Sequence, residues 1–203
     1  MLVAAIVHAG VATVLLQMGL PELVDQAKTV GMVEVDHAAA AWEGKRIVTT
    51  VDARFHGVWK GNAKKGDAIQ IRVPGGIVGG IGMRVVGAPE FTSGERYVVF
   101  LSPVEPSPDP RMQVVGFSQG TFHVVEAADS RGPFAVASLE GAALVGQTGG
   151  AQVRAAATQM RLSDLSREVA RLVGSKEPTR ESGRSIPARK QPVPSTRSKN
   201  VAP

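Results

Sequence analysis

The stretch Val73–Leu101 reads V-P-G-G-I-V-G-G-I-G-M-R-V-V-G-A-P-E-F-T-S-G-E-R-Y-V-V-F-L, and its punctuation is that of packed β-structure. A Pro-Gly-Gly turn at Pro74–Gly76 opens it, and a glycine-rich loop follows. A short apolar strand is predicted over Met83–Val86. The chain turns again through Gly87-Ala88-Pro89 and ends in the β-formers Tyr97–Leu101. Gly75, Gly76, Gly79, Gly80 and Gly82 permit positive φ and close backbone approach, which packed strands need at corners.

The 203 residues suffice for one domain with appendages and a sizeable core. Apolar residues make up 43% and aromatics 4%, so that core must rest on Val, Ile, Leu and Ala. The chain has no cysteine, which excludes disulfides, zinc–thiolate sites and thiol catalysis. Seven of the 23 Lys and Arg and two of the 18 Asp and Glu follow Ser175. The net charge of +5 therefore belongs to the tail, and the neutral body carries no electrostatic footprint for nucleic acid.

Upstream, Leu20–Lys28 reads as a two-turn helix with Pro21 near its start and Leu20, Leu23, Val24 and Ala27 on one face. A strand is predicted over Thr29–Val35. Asp36–Lys45, with its alanine run Ala38–Ala41, reads as a hairpin connection. Arg46–Trp59 is the longest strand, with Ile47, Thr49, Val51, Ala53 and Phe55 turned to the core. Lys60–Asp67 is a polar turn and Ala68–Val73 a short strand. Met1–Leu20 is apolar apart from His8, Thr13 and Gln17, with no Lys or Arg before it. It reads as a signal peptide whose start lies too far downstream, cleaved near Val7-His8-Ala9, followed by a strand over Val11–Met18. A short uncleaved membrane anchor is the competing reading.

Downstream, four prolines between Ser102 and Arg111 forbid a central strand and mark an exposed loop. Met112–Phe117 and Thr121–Glu126 are expected to form a hairpin across Ser118-Gln119-Gly120, and Phe134–Ser138 a last edge strand. Residues 141–160 read as a linker. Arg161–Val173 is a helix capped by Ser163, striped by Leu162, Leu165, Val169, Leu172 and Val173, and stopped by Gly174. The Pro-, Ser- and Arg/Lys-rich tail over 175–203 is expected to be disordered.

Seven or eight short strands with few helices point to a mainly β protein, a small closed or partly open β-barrel. Its parts are a signal-peptide remnant at 1–9, a barrel domain at 10–140, the linker, a helix at 161–174 and the tail.

Several motifs in order resemble a family of small exported bacterial proteins. They are L-x-E-L-V-x-x-A at Leu20–Ala27, W-x-x-x-x-I-x-T at Trp42–Thr49, K-G at Lys60-Gly61 and P-G-G at Pro74–Gly76. The G-x-P-x-F-x-x-G-E-x-x-V-x-F-L run at Gly87–Leu101 and Q-G-x-F at Gln119–Phe122 complete the set. The resemblance implies export, and such proteins often accompany matrixin-like metalloproteases. The order of helix, long strand, W-K-G turn, strand and later E-R-Y-V-V-F-L also resembles the inhibitory domain of tissue inhibitors of metalloproteinases. That likeness implies an oligonucleotide/oligosaccharide-binding (OB)-type barrel and a secreted metalloprotease as partner. Those inhibitors chelate the protease zinc through an N-terminal cysteine, which this chain lacks.

The chemical motifs are weak. Gly116-Phe117-Ser118-Gln119-Gly120 matches G-x-S-x-G, but a nucleophile elbow needs a helix after it, and Thr121–Val125 is β-forming. Gly80-Ile81-Gly82 leads into a strand with no Lys-Ser/Thr, unlike a phosphate loop. His8, His37, His56 and His123 have no i,i+2 or i,i+4 pairing for a metal. Glu90 and Glu95 read as solvated turn residues. The tail lacks the aromatics that base stacking uses.

The expected protein is an exported, non-enzymatic interaction or envelope-associated protein with no cofactor, metal or nucleic-acid ligand. Membrane contact is expected only if the apolar start is uncleaved. The candidate partner-binding loop comprises Pro74, Gly75, Gly76, Gly79, Gly80, Pro89, Phe91, Gly94 and Glu95. Inhibition or partnering of a secreted metalloprotease is the alternative, through a mature N-terminus near Gly10–Thr13. A membrane-anchored envelope protein is the second alternative.

Overall fold

The computed structural model describes residues 14–105, 109–128, 131–137, 143–145, 153–154 and 159–175. The signal-peptide remnant and, apart from Ser175, the basic tail lie outside them. In chain order the elements are β1 (Val14–Leu16), α1 (Leu20–Gln26), β2 (Thr29–Glu43), β3 (Arg46–Lys60), β4 (Ala68–Pro74), β5 (Gly76–Val78) and β6 (Ile81–Met83). Then come β7 (Arg96–Pro103), β8 (Met112–Val114), a 3-10 turn (Phe117–Gly120), β9 (Thr121–Val125), β10 (Phe134–Ala137), β11 (Ala143–Val145), β12 (Val153–Arg154), β13 (Gln159–Arg161) and α2 (Leu162–Gly174). No described helix is long and apolar enough to cross a membrane.

The protein is mainly β. An eight-stranded sheet runs β13-β10-β9-β7-β2-β3-β4-β8, and β8 pairs back onto β7. Five strands, β2, β3, β4, β8 and β7, therefore ring a barrel. β2, β3 and β4 form an antiparallel meander, and β4 meets β8 in parallel through the single pair Ile71–Met112. This is the strand order of an OB-type barrel, with a seam so short that the barrel is only partly closed.

β7 explains why Tyr97–Leu101 is apolar throughout. Tyr97, Val99 and Leu101 point into the barrel with Val33, Val51, Phe55 and Ile71. Val98 and Phe100 point outward, where they meet Leu23 and Val24 of α1, Phe122, and Leu165 and Val169 of α2. A strand covered on both faces loses the alternation of a half-buried one. Lys60 fastens α1 to the barrel by donating from Nζ to the carbonyls of Val24 and Ala27, both at 2.6 Å. These are helix-end acceptors, and burial lowers the Lys60 pKa.

Several expectations are corrected. β2 does not stop at Val35 but continues to Glu43, so Asp36–Glu43 is strand, and the turn is Gly44-Lys45 alone. Gly44 has φ +61, which suits the first position of a type II′ turn. The strand placed at Met83–Val86 is Ile81–Met83, and Arg84–Val86 lie outside it. Met112–Phe117 and Thr121–Glu126 are not a hairpin. β8 and β9 lie one after the other along the same edge of β7, joined by the 3-10 turn. β10 is paired on both sides rather than at an edge. Within 141–160, β11 pairs with β1 and β12, and β13 begins at Gln159. Ser163 makes no cap bond to α2, whose N-cap is Arg161, and Gly174 is its last helical residue.

Candidate functional site at the barrel mouth

At one end of the barrel the chain folds over the opening. β4 ends at Pro74, and Gly75 reverses the chain at φ +100. The N–H of Gly75 donates to the Ile47 carbonyl at 2.9 Å, and its carbonyl accepts the Thr49 hydroxyl at 2.7 Å. A Cβ on Gly75 would stand 2.7 Å from the Met83 carbonyl oxygen. One on Gly76 would stand 2.6 Å from Thr49 Oγ1 and 2.7 Å from the Ala40 methyl. Glycine at these two positions lets the β5–β6 hairpin lie flat against the β2–β3 ribbon.

The hairpin turns through Gly79-Gly80, whose φ values of +57 and +82 suit a type I′ turn. It carries Ile77 and Ile81 at 73% and 58% exposure. Among the described residues β6 pairs with β5 alone.

The opposite wall is the loop 84–91. The Gly87 carbonyl accepts the N–H of Ser118 at 2.9 Å. Phe91 packs edge-on against Tyr97 at 4.9 Å between centroids, and the Tyr97 hydroxyl accepts the Thr92 N–H at 3.0 Å. Between hairpin and loop lies a groove of about 810 Å³, floored by Thr49, Val51 and Val73 and rimmed by Arg84 and Glu90.

The groove unites Pro74, Gly75, Gly76, Pro89 and Phe91 of the expected loop. Gly79 and Gly80 sit at the hairpin tip, away from it. Gly94 and Glu95 pin β2 through backbone bonds to Val35 of 2.8 and 3.0 Å. The Glu95 carboxylate lies 2.9 Å from Nε2 of His123. The sequence reading missed Thr49, Val51 and Val73, and it missed Ile77 and Met83 of the hairpin and Arg84 of the loop. Two isoleucines framed by glycines were the available signal for the hairpin.

Behind the loop a smaller cavity of about 90 Å³ is lined by Tyr97, Ser118, Thr121 and His123, among others. The hydroxyls of Ser118 and Thr121 are buried without a hydrogen-bond partner. The turn holding Ser118 leads into β9 rather than into the helix an elbow requires. Gln119 serves the fold, because its side-chain oxygen accepts the Met18 N–H at 2.8 Å. Among the described residues no three His, Asp or Glu gather as metal ligands.

On the outer face a chain of charges locks the barrel end. Glu43 receives Arg72 at 2.8 Å and Arg111 at 2.6 Å, and Arg111 also grips Asp109 at 2.6 Å. Side-chain bonds from Arg72, then Arg111, hold Glu43 below the usual carboxylate range. The Arg111 side chain, then its backbone N–H, lowers Asp109 from 3.8 to about 2. A carboxylate depressed by folding contributes stability above its ordinary pKa and loses it as pH falls through the folded value. The urea midpoint is therefore expected to drop between pH 4 and about 2, and Asp109→Asn to flatten that drop while lowering the midpoint at pH 7. Equal slopes for both proteins would refute the assignment.

Comparison of the chain with protein families, curated proteins and solved structures finds no match.

Proposed function

We propose that this protein is an exported, non-catalytic binding module that takes an extended polypeptide segment of a partner protein into the mouth groove. The observation that carries this reading is the groove of about 810 Å³ with Gly82 and Met83 of the strand β6 in one wall. The edge of β6 turned away from β5, unpaired among the described residues, offers main-chain donors and acceptors to an incoming segment, and neighbouring apolar pockets take its alternate side chains. Ile77 and Phe91 supply the apolar contacts over the buried floor of Val51 and Val73, and Arg84 and Glu90 place opposite charges at the rim. Ile77 and Ile81, exposed on the hairpin, extend the apolar surface past the groove. The apolar run over 1–20 supports export.

Selection of a displayed random-peptide library on the purified protein tests the reading. Selected peptides are expected to bind Ile77→Asp and Phe91→Ala proteins at least about tenfold more weakly, as loss of buried apolar anchors at an interface does. Ile77 is exposed enough that its replacement leaves the fold intact. Peptides that bind both variants as they bind the parent protein, or a library that yields no binder, would overturn it.

A further inference from the structure

The outer edge of β2 divides in two. From Thr29 to Glu34 it pairs with β7, and Val35 bonds to Gly94 and Glu95. A bulge at Asp36, between Val35 and His37, then shifts the ladder, and from His37 to Glu43 the strand pairs with β3 alone among the described residues. Counted back from the two-residue turn, Glu43, Ala41, Ala39 and His37 exchange hydrogen bonds with β3. The N–H and C=O groups of Trp42, Ala40 and Ala38 therefore point to the open side. Val35 points the same way before the bulge, as its bonds to Gly94 and Glu95 require.

Monomeric proteins blunt such an edge with Lys, Pro or a covering loop. Ala38–Trp42 contains no Lys or Pro, and among the described residues no strand pairs with its open side, although the β5–β6 hairpin packs on the face that carries Ala40. Four successive alanines are unusual in a strand, but they leave the backbone open to close approach.

From this we infer that the open edge of β2 pairs antiparallel with the same edge of a second copy of this chain, about a two-fold axis at Ala40. The outward-facing groups of Ala38, Ala40 and Trp42 allow registers in which these residues pair with one another. Centring on Ala40 sets Ala38 opposite Trp42 of the other copy, Ala39 opposite Ala41, and His37 opposite Glu43. The large, half-exposed Trp42 then lies over the smallest side chain available. An imidazole faces a carboxylate, and the Lys45 turn of one copy ends beside Asp36 of the other. A two-fold interface must be self-complementary, and this edge is so in size and in charge. The pairing uses backbone groups of β2, a strand that contributes no residue to the lining of the mouth groove.

Sedimentation velocity over a concentration series tests the inference on the full chain. The parent protein is expected to approach twice the 21.2 kDa of one chain. The double variant Ala39→Lys/Ala41→Lys sets like charges directly opposite across the interface and is expected to halve that mass. Ala40→Pro removes an outward N–H that β3 does not use, and it is expected to do the same. Amide exchange supplies the register: Ala38, Ala40 and Trp42 gain protection on dimerisation, whereas Ala39 and Ala41 are already protected by β3. A parent protein that stays monomeric throughout overturns the inference. So does a dimer that survives the double lysine variant, or one that forms without protecting those three amides.

Discussion

Replacing Phe100 by alanine is expected to lower the unfolding free energy by about 3–5 kcal/mol, the range for removing a fully buried aromatic side chain. The side chain is 0% exposed, and its ring lies 6.0 Å from that of Phe122. Its position gives the loss a particular character. β7 lies between β2 and β9, and Phe100 is on its outward face, in the cluster that seats both helices. The cavity would open where Leu23 and Val24 of α1 and Leu165 and Val169 of α2 converge. Helical signal should therefore fall at lower urea than sheet signal in the variant, whereas both fall together in the parent. Val125→Ala, on the adjacent strand but 40% exposed, is the control and should change stability by no more than about 0.5 kcal/mol. A loss below about 1 kcal/mol for Phe100→Ala would show that the helices do not rest on this side chain.

The same strand shows what the sequence disclosed. A solid run of β-formers, Tyr97–Leu101, reads as a strand, and its cover on both faces is a finding of the fold. The helices α1 and α2 are legible from apolar stripes at helical spacing, and Arg46–Trp59 from its alternation. Asp36–Glu43 was not legible, because alanine has low strand propensity and a local reading finds no partner for it. The partner is supplied by Arg46–Ile47 and the residues after them, which extend the ladder through Ala41–Val48 to the turn. The β8–β9 hairpin was expected because two short strands flanked a turn. In the fold β7 offers both of them successive stretches of one edge, and that non-local pairing prevails. At the site, Pro74, Gly75, Gly76, Pro89 and Phe91 stood out as turn residues around a loop. Thr49, Val51 and Val73 are ordinary strand residues, and only closure of the ring turns them toward the mouth.

Gly75→Ala is expected to cost about 2–4 kcal/mol, by adding side-chain strain at positive φ to a backbone collision. The comparison with Gly79→Ala separates those two causes. Both glycines have positive φ, +100 and +57, but a Cβ on Gly79 meets nothing within 4 Å. Gly79→Ala should thus cost only the left-handed penalty of about 1–2 kcal/mol and leave the hairpin in place. At Gly75 the new methyl would press on the Met83 carbonyl at 2.7 Å. The new methyl cannot retreat cheaply, because Gly75 is tied to Ile47 and Thr49 on the β2–β3 ribbon. Relief must come from β6 moving outward, which widens the groove wall formed by Gly82 and Met83. Amide exchange over Ile77–Met83 should accelerate in Gly75→Ala and stay near the parent rate in Gly79→Ala. Peptide binding at the mouth should weaken in the first variant alone. Equal losses of stability in the two variants would mean that φ strain governs both positions and that the close seat of the hairpin on the ribbon contributes nothing.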